Sequence, residues 1–111
     1  MEIIFEVHEA VMTARLFGEL DHHAAAEIRE TIDCSLKQYA MRDLVFDFAN
    51  VTYMDSSGIG VLLNRYKQMK AGHTSFYGAC PQVMRVLKVA GILGLMHQYE
   101  SKEEAIYSRE V

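Results

Sequence analysis

One short segment constrains the fold of this chain more than any other. In the run Leu44-Val45-Phe46-Asp47-Phe48, every residue except Asp47 is apolar. A run of this kind is typical of a β-strand that is covered on both of its faces. We therefore predict that residues 44–48 form the central strand of a β-sheet.

The residues before the central strand predict a hairpin followed by a helix. Residues 3–8 and 11–17 have the composition of strands joined by a tight turn, and Gly18 is expected to end the second strand. From about 22 to 40, apolar residues recur at the spacing of one helix face, and Asp21 is placed to act as the N-cap. These apolar residues are Ala25, Ile28, Ile32, Leu36 and Tyr39.

Helices and strands alternate through the rest of the chain. Asn50 is predicted to form a turn, and an amphipathic helix follows it. The later elements are a strand at 74–77, a helix opened by Pro81 and stopped by Gly91, an edge strand at 96–99 and a helix opened by the capping pair Ser101 and Glu104. This order predicts an α/β fold, with a mixed sheet of four to five strands and about four helices packed mainly on one side. No Pro-, Gly- or Ser-rich linker divides it, so we expect one domain over residues 1–111.

Composition and charge exclude several classes of protein. Half of the residues are hydrophobic and 23% are charged, which is typical of a globular chain. No apolar stretch approaches the roughly 20 residues that cross a bilayer, and the acidic start does not resemble a signal peptide, so we expect a cytoplasmic protein without a membrane partner. The net charge of −4 and the scattered basic residues argue against direct nucleic-acid binding. Cys34 and Cys80 lack metal or redox spacing and are predicted to be reduced thiols.

The segment from Met54 to Gly60 is the most informative one for function. It places Asp55, Ser56 and Ser57 between a strand and a helix. A helix cap explains much of this composition, because Asp and Ser side chains accept hydrogen bonds from the free amides of a first helical turn. The same position would let Ser57 carry a phosphate, whose roughly 1.5 to 2 negative charges would change the surface beside Asp55. The residues alone leave both explanations open.

Catalysis and cofactor binding find little support in the sequence. The Gly-x-Ser-x-Gly pattern of serine hydrolases is absent around Ser57, and Gly58-x-Gly60 lacks the third glycine of a dinucleotide fingerprint. His22 and His23 would diverge by about 100° on a helix, so we predict no metal site. We expect a protein that is not an enzyme and carries no cofactor.

Two apolar residues fall in the first turn of the helix after Asp55. Ile59 and Val61 are two positions apart, so they point in different directions on a helix. We predict that at least one of them faces outward, where an exposed apolar side chain could anchor a partner protein.

Two separated motifs carry a family resemblance. The run Tyr-Met-Asp-Ser-Ser-Gly-Ile-Gly-Val at 53–61, continued at 64–68, resembles the signature of anti-sigma factor antagonists, bacterial proteins of the STAS domain family. The run Gly-Glu-Leu-Asp-His-His at 18–23 is similar to the sporulation branch of that family. The resemblance extends over essentially the whole chain and implies the STAS fold.

The resemblance also implies a partner-switching function. In this family the unphosphorylated antagonist binds an anti-sigma factor that is also a serine kinase, and the sigma factor is released. Phosphorylation by that kinase inactivates the antagonist, and a serine phosphatase restores it. By its place in the motif Ser57 would be the phosphorylated residue, and Asp21 would contact a basic residue of the partner. The implied partner-binding residues are Asp21, Asp55, Ser56, Ser57, Gly58, Ile59 and Gly60.

Two alternatives remain open within the family. Antagonists of the general stress response share the serine motif and the partner logic, so the sporulation branch rests mainly on residues 18–23. A constitutive STAS interaction module, of the kind also found at the cytoplasmic ends of anion transporters, is the other alternative. In such a module Ser57 would only cap a helix, and its modification would not affect binding.

Overall fold

The computed structural model describes residues 1–70 and 72–107, and the elements in these ranges follow the predicted order. They are β1 (Glu2–His8), β2 (Val11–Leu20), α1 (Ala25–Gln38), β3 (Asp43–Met54), α2 (Ser56–Gln68), β4 (Thr74–Tyr77), α3 (Pro81–Val89), a 3₁₀ turn (Ile92–Gly94), β5 (His97–Tyr99) and α4 (Lys102–Tyr107). None of the helices in these ranges combines the length and the apolar character that a membrane span needs.

The five strands form one mixed sheet in the order β1-β2-β3-β4-β5. β1 runs antiparallel to β2, and every other neighbouring pair is parallel. The predicted central strand is confirmed, because β3 lies in the middle of the sheet and its residues 43–48 are all buried. In the β2–β3 pair Leu20 lies opposite Met54, so these two strands end together at one edge of the sheet.

Side chains that alternate along the strands separate the two faces of the sheet. Phe46 and Phe48 belong to the larger core, which contains the buried apolar residues of α1, α2 and α3. On the other face Val45 and Tyr77 belong to a smaller cluster with Ala105 of α4. The prediction that the helices pack mainly on one side is therefore confirmed.

The face under α4 also carries a series of charged contacts. Arg15 on β2 lies 2.9 Å from the carboxylate of Glu6 and 3.4 Å from that of Asp47. Lys102 of α4 lies 2.6 Å from Glu6, and its hydrogen bond lowers the pKa of Glu6 although partial burial opposes this shift. Burial raises the pKa of Tyr77 far above its usual value, and Asp47 adds to this shift. These contacts connect α4 to the first three strands.

Two predicted strand boundaries are wrong. Gly18 does not end β2, which continues to Leu20, and Asn50 does not form a turn, because β3 continues to Met54. The register between the two strands shifts near each of these positions, where β3 takes up an extra residue as a bulge. Pairing between long parallel strands thus outweighs the local turn signals of Gly and Asn.

The first helix begins later than predicted. A turn precedes α1, and Ala24 is the N-cap of the helix, so Asp21 is not. The Asp21 carboxylate caps the turn instead, where it accepts hydrogen bonds from the backbone N–H of His23 at 3.0 Å and of Ala24 at 3.1 Å. Because His22 and His23 lie in this turn, they do not diverge as they would on a helix, and their ring centroids are 3.9 Å apart.

The predicted ends of the later helices are confirmed. Pro81 is the first residue of α3, and Gly91 follows the helix in a left-handed conformation with φ of 77°. The Ser101 hydroxyl accepts a hydrogen bond from the backbone N–H of Glu104 at 3.1 Å, as expected for the start of α4.

Candidate functional site

Two aspartates follow strands that end side by side. Asp21 comes directly after β2, and Asp55 comes directly after β3. Leu20 and Met54 are paired as the last residues of these strands, and the backbone N–H of Asp55 lies 3.4 Å from the carbonyl oxygen of Leu20, to which it donates. The two sequence motifs singled out above therefore meet at the carboxyl edge of one parallel strand pair.

Asp55 organises the first turn of α2. It is the N-cap, and its carboxylate accepts a hydrogen bond from the backbone N–H of Ser57 at 2.9 Å. Its carbonyl oxygen accepts another from the N–H of Gly58 at 3.0 Å. Ser56 and Ser57 occupy the first two helical positions and do not serve as the cap. Capping therefore explains Asp55 but not the serines.

The surroundings of the two serines combine opposing electrostatic influences. Ser56 is exposed and Ser57 is half-buried. No acidic residue lies in the first turn of α2, so Asp55 at the N-cap supplies the negative charge at the positive end of the helix dipole. A phosphate on Ser57 would gain from the helix amides and be repelled by the Asp55 carboxylate.

The two glycines of the motif have different roles. A Cβ atom on Gly58 would lie 2.6 Å from Cγ of Met54 and 3.1 Å from the carbonyl oxygen of Leu20. A Cβ on Gly60 would meet no atom within 4 Å, and Gly60 is exposed. Gly58 therefore allows α2 to approach the ends of β2 and β3, whereas Gly60 lies on the open side of the helix.

The prediction that Ile59 or Val61 faces outward is wrong. Ile59 is 8% exposed and Val61 is 2% exposed, and both belong to the larger core. The reason is that α2 contacts α1, α3 and the sheet, which together cover a wide arc of its surface. Residues two positions apart can both be buried on such a helix.

An open groove of about 410 Å³ lies beside the serines, between the start of α2 and α3. Ile59 lines it from the core side, while Val89 is 86% exposed and Tyr53 is 41% exposed at the same groove. Its other lining residues are Met54, Asp55, Ser56, Gln82, Arg85, Val86 and Ala90. The exposed apolar surface expected from Ile59 or Val61 is thus supplied by Val89 and Tyr53.

Gln82 is a residue of this site that the sequence analysis missed. Its carboxamide oxygen accepts a hydrogen bond from the backbone N–H of Met54 at 2.9 Å, and its nitrogen donates to the Met54 carbonyl at 2.9 Å. In the sequence Gln82 is only a polar residue after Pro81, near the start of a helix. No local pattern indicates a contact with a strand end that is 28 residues away.

The Asp21 turn borders an acidic recess. A cavity of about 300 Å³ is lined by Glu19, Asp21, His23 and Glu27, together with Met1, Ala24 and Ile28. Three carboxylates in one recess favour the approach of a positively charged group.

The described residues also include candidate metal ligands and two cysteines. Across residues 1–70 and 72–107, no group of three or more His, Cys, Asp or Glu side chains is placed to hold a metal ion. Cys34 is exposed and Cys80 is half-buried, and neither forms a disulfide in this structure. Cys80 lies at the start of α3, with its sulfur 3.7 Å from the carbonyl oxygen of Val51.

Comparison with known protein families agrees with this geometry. The family model described as the STAS domain matches residues 2–105. The chain belongs to the STAS domain family. The match covers both aspartate turns, the groove and every strand of the sheet.

Two named relatives of this STAS domain represent two branches. An anti-sigma F factor antagonist of Paenibacillus polymyxa is 34% identical over 113 residues, which cover 100% of this chain and 97% of the relative. An anti-sigma-B factor antagonist of Staphylococcus epidermidis is 29% identical and covers 86% of this chain and 90% of the relative.

Solved structures of the anti-sigma factor antagonist SpoIIAA resemble this STAS domain. The unphosphorylated form superposes with a TM-score of 0.84 at 34% identity, covering 99% of this chain and 98% of SpoIIAA. The phosphorylated form of SpoIIAA from Bacillus gives a TM-score of 0.74 at the same identity, covering 96% and 98%. The predicted STAS fold is confirmed.

This STAS domain places the predicted partner-binding residues at different depths. Ser56 and Gly60 are exposed, and Asp21, Asp55 and Ser57 are half-buried. Gly58 and Ile59 are buried, so they shape the surface from beneath.

Proposed function

We propose that this chain is an anti-sigma factor antagonist that is switched by phosphorylation of Ser57. In its unphosphorylated state it binds an anti-sigma factor that is also a serine kinase, and the sigma factor is released. The kinase phosphorylates Ser57 and ends this binding, and a serine phosphatase regenerates the active form. Residues 1–111 act as a single cytoplasmic STAS domain, by binding and not by catalysis.

One observation supports a phosphate on Ser57, and the choice of Ser57 over Ser56 rests on its place in the motif. The cap of α2 is Asp55, whose carboxylate holds the backbone N–H of Ser57 at 2.9 Å. The Ser57 side chain is therefore not required as the cap, and it stands in a helical turn whose amides favour an added phosphate. A phosphate on Ser57 is compatible with a folded α2.

The proposed partner surface has an acidic part and a switch part. The acidic part is the recess of Asp21, Glu19 and Glu27, which would accept a basic residue of the anti-sigma factor. The switch part is the first part of α2, where Ser56 and Gly60 are exposed and Ser57 is half-buried. Because β2 and β3 end together, one partner can contact both parts at once.

A phosphate would act on this surface through charge. It adds roughly 1.5 to 2 negative charges beside the Asp55 carboxylate in the switch part, where the partner would contact a neutral hydroxyl and not, as in the acidic recess, supply a basic residue. Unfavourable charge contacts at an interface cost several kcal/mol, and each 1.4 kcal/mol changes affinity about tenfold. We therefore expect phosphorylation to weaken binding by about a hundredfold or more.

We assign the proposed function to sporulation and not to the general stress response. The anti-sigma F relative has both the higher identity and the fuller coverage of the two named relatives. The run at 18–23 supports the same branch. Stronger binding to an anti-sigma F factor than to an anti-sigma-B factor would test the assignment, and the reverse preference would overturn it.

Phosphorylation by the anti-sigma factor of the same organism is the direct test. We expect mass spectrometry to find a single phosphate on Ser57 in the wild type and none in Ser57→Ala. Ser56→Ala is the matched control, because Ser56 precedes Ser57 in the same turn and is more exposed. It should accept phosphate as the wild type does. Phosphate on Ser56, or none from a kinase that is active on another substrate, would contradict the proposal.

Binding of the anti-sigma factor to Ser57→Asp distinguishes the switch from a constitutive module. We expect calorimetry to show affinity reduced by at least about tenfold, because one negative charge replaces a neutral hydroxyl at the interface. Equal affinity of Ser57→Asp and the wild type would instead support a module that phosphorylation does not control.

A further inference from the structure

We propose that Gln82 is a positioning residue for the phosphorylation site, and that its carboxamide holds the end of β3 in the geometry that the anti-sigma factor recognises. This inference rests on the proposed function for its effect on binding. Its structural part concerns only Gln82, Met54 and the turn that follows Met54.

The carboxamide of Gln82 forms the hydrogen bonds that a neighbouring strand would otherwise form with Met54. β4 pairs with β3 from Leu44 to Asp47, and no residue of β4 pairs beyond that point. Met54, seven residues further along β3, is paired with Leu20 of β2 on its other side. On the open side, the two hydrogen bonds of Gln82, each 2.9 Å, satisfy the N–H and the carbonyl oxygen of Met54 together. A primary carboxamide can match both groups because it carries one acceptor and one donor.

A short series of contacts leads from this carboxamide to the serine. Met54 is followed at once by Asp55, whose carboxylate holds the backbone N–H of Ser57. At the other end, Gln82 lies between Pro81, the first residue of α3, and Val83, which is fully buried in the core. The position of the Ser57 turn therefore depends on α3 as well as on the sheet.

Loss of the carboxamide has a predictable local effect. Two backbone groups of Met54 would lose their partners on that side, and β3 would be free to move at the residue before the Asp55 cap. A partner that needs the turn in one conformation then binds more weakly, because only part of the population is competent to bind.

The test variant is Gln82→Glu, studied first without any partner. At pH 7 its carboxylate still accepts from the Met54 N–H but cannot donate to the Met54 carbonyl, whereas the protonated acid can do both. The second carboxylate oxygen would then face the Met54 carbonyl oxygen with no proton between them, so the turn should open more often. We expect amide hydrogen exchange of Met54 and Ser57 to be about tenfold faster than in the wild type at pH 7, because the hydrogen bond to the Met54 carbonyl is lost. This ratio should return toward one as the pH falls and the new side chain is protonated. A carboxyl group that merely disturbed packing would not show this recovery.

Gln98→Glu is the matched control, because Gln98 is an exposed glutamine on β5 and does not line the groove beside the serines. It should leave both exchange rates and anti-sigma factor binding unchanged. Gln82→Asn keeps the carboxamide on a stem one methylene shorter and should give intermediate exchange, which provides a second measurement if Gln82→Glu does not fold.

The two parts of the inference fail separately. Unchanged exchange at Met54 and Ser57 in the folded Gln82 variants would overturn the positioning role, whatever the partner does. Faster exchange with wild-type affinity for the anti-sigma factor would also overturn it, because the held geometry would then not matter for recognition. Absence of binding by the wild type itself would count against the proposed function, while the exchange measurements would still decide whether Gln82 holds the turn.

Discussion

The two aspartates at the carboxyl edge of the sheet make the same local contact in different surroundings. Asp21 accepts a hydrogen bond from the backbone N–H of His23 at 3.0 Å, and Asp55 accepts one from Ser57 at 2.9 Å. After Asp55 the helix begins at once, whereas a further turn separates Asp21 from α1. Asp55 therefore starts a helix directly on the sheet, and Asp21 lies on a loop.

The packing behind each turn explains this difference. Behind Asp55, Gly58 brings α2 close to the strand ends, and Gln82 holds Met54 from α3. Asp21 instead borders a recess that is lined by other carboxylates. The Asp55 turn is thus fixed by close packing, whereas the Asp21 turn is held by its own hydrogen bonds and borders an acidic recess.

The largest effect on stability is expected where the Asp55 turn is packed most closely. Gly58→Ala places a methyl group 2.6 Å from Cγ of Met54, so we expect the free energy of unfolding to fall by about 1–3 kcal/mol. Gly60→Ala places its methyl group in open space, so it should raise the free energy of unfolding by roughly 0.5–1 kcal/mol through helix propensity. Urea denaturation measures both variants. Similar shifts for the two would show that close packing does not distinguish this turn.

Removal of charge from the Asp21 turn should affect binding and not stability. The carboxamide introduced by Asp21→Asn would keep an oxygen that caps the turn, so the unfolding free energy should change little. We expect affinity for the anti-sigma factor to fall by about tenfold, measured by calorimetry. Glu103→Gln makes the same charge change on α4 and should bind as the wild type does. Wild-type affinity in Asp21→Asn would remove Asp21 from the partner surface.

Replacing each aspartate by alanine should show that the cap of a helix contributes more to stability than the cap of a turn. Asp55→Ala removes the N-cap of α2, and we expect a loss of about 1 kcal/mol in unfolding free energy. Asp21→Ala should cost less, because the helix behind it begins at Ala25 with a different N-cap. Thermal denaturation provides the ranking, and a larger loss for Asp21→Ala would reverse this assignment of roles.

The smallest effect concerns α4, on the face of the sheet opposite α1, α2 and α3. Lys102→Ala removes the ammonium group 2.6 Å from Glu6, so the pKa of Glu6 should rise toward its usual value. In the wild type the lowered pKa means that this contact stabilises the fold above the usual pKa of Glu, and that the stabilisation is lost as the pH falls through the lowered value. NMR titration of the Glu6 carboxyl tests this. Weakened anti-sigma factor binding by Lys102→Ala would show that the two faces are coupled.

The parts of the fold that the sequence predicts well depend on neighbouring residues in the chain. The central strand at 44–48 and the start of α3 at Pro81 are confirmed, because apolar runs and helix-start signals are local. The boundaries at Gly18 and Asn50 are wrong, because pairing between β2 and β3 overrides local turn signals. Burial of Ile59 follows from three neighbours around α2, which no periodicity in α2 reveals.

The candidate site divides in the same way. Asp55, Ser57 and Asp21 are marked by their motifs, and their common edge follows from the parallel order of the strands. Gln82 belongs to no motif, and its role depends on a contact with the end of β3 that forms only when α3 packs there. The sequence around Gln82 therefore could not predict it.

Neighbouring strands in any sheet lie about 4.8 Å apart. Asp21 and Asp55 each follow the last residue of one of two paired strands, so the interval between their backbones is a repeat of the sheet and not a property of a flexible loop. Substitutions in the surrounding turns can alter side chains without changing this interval. A slip of register would change it most, and a slip of one residue would turn the buried side chains of β3 toward the wrong face. Any protein that binds both aspartates therefore meets a backbone spacing that is fixed by the same strand pairing that forms the core.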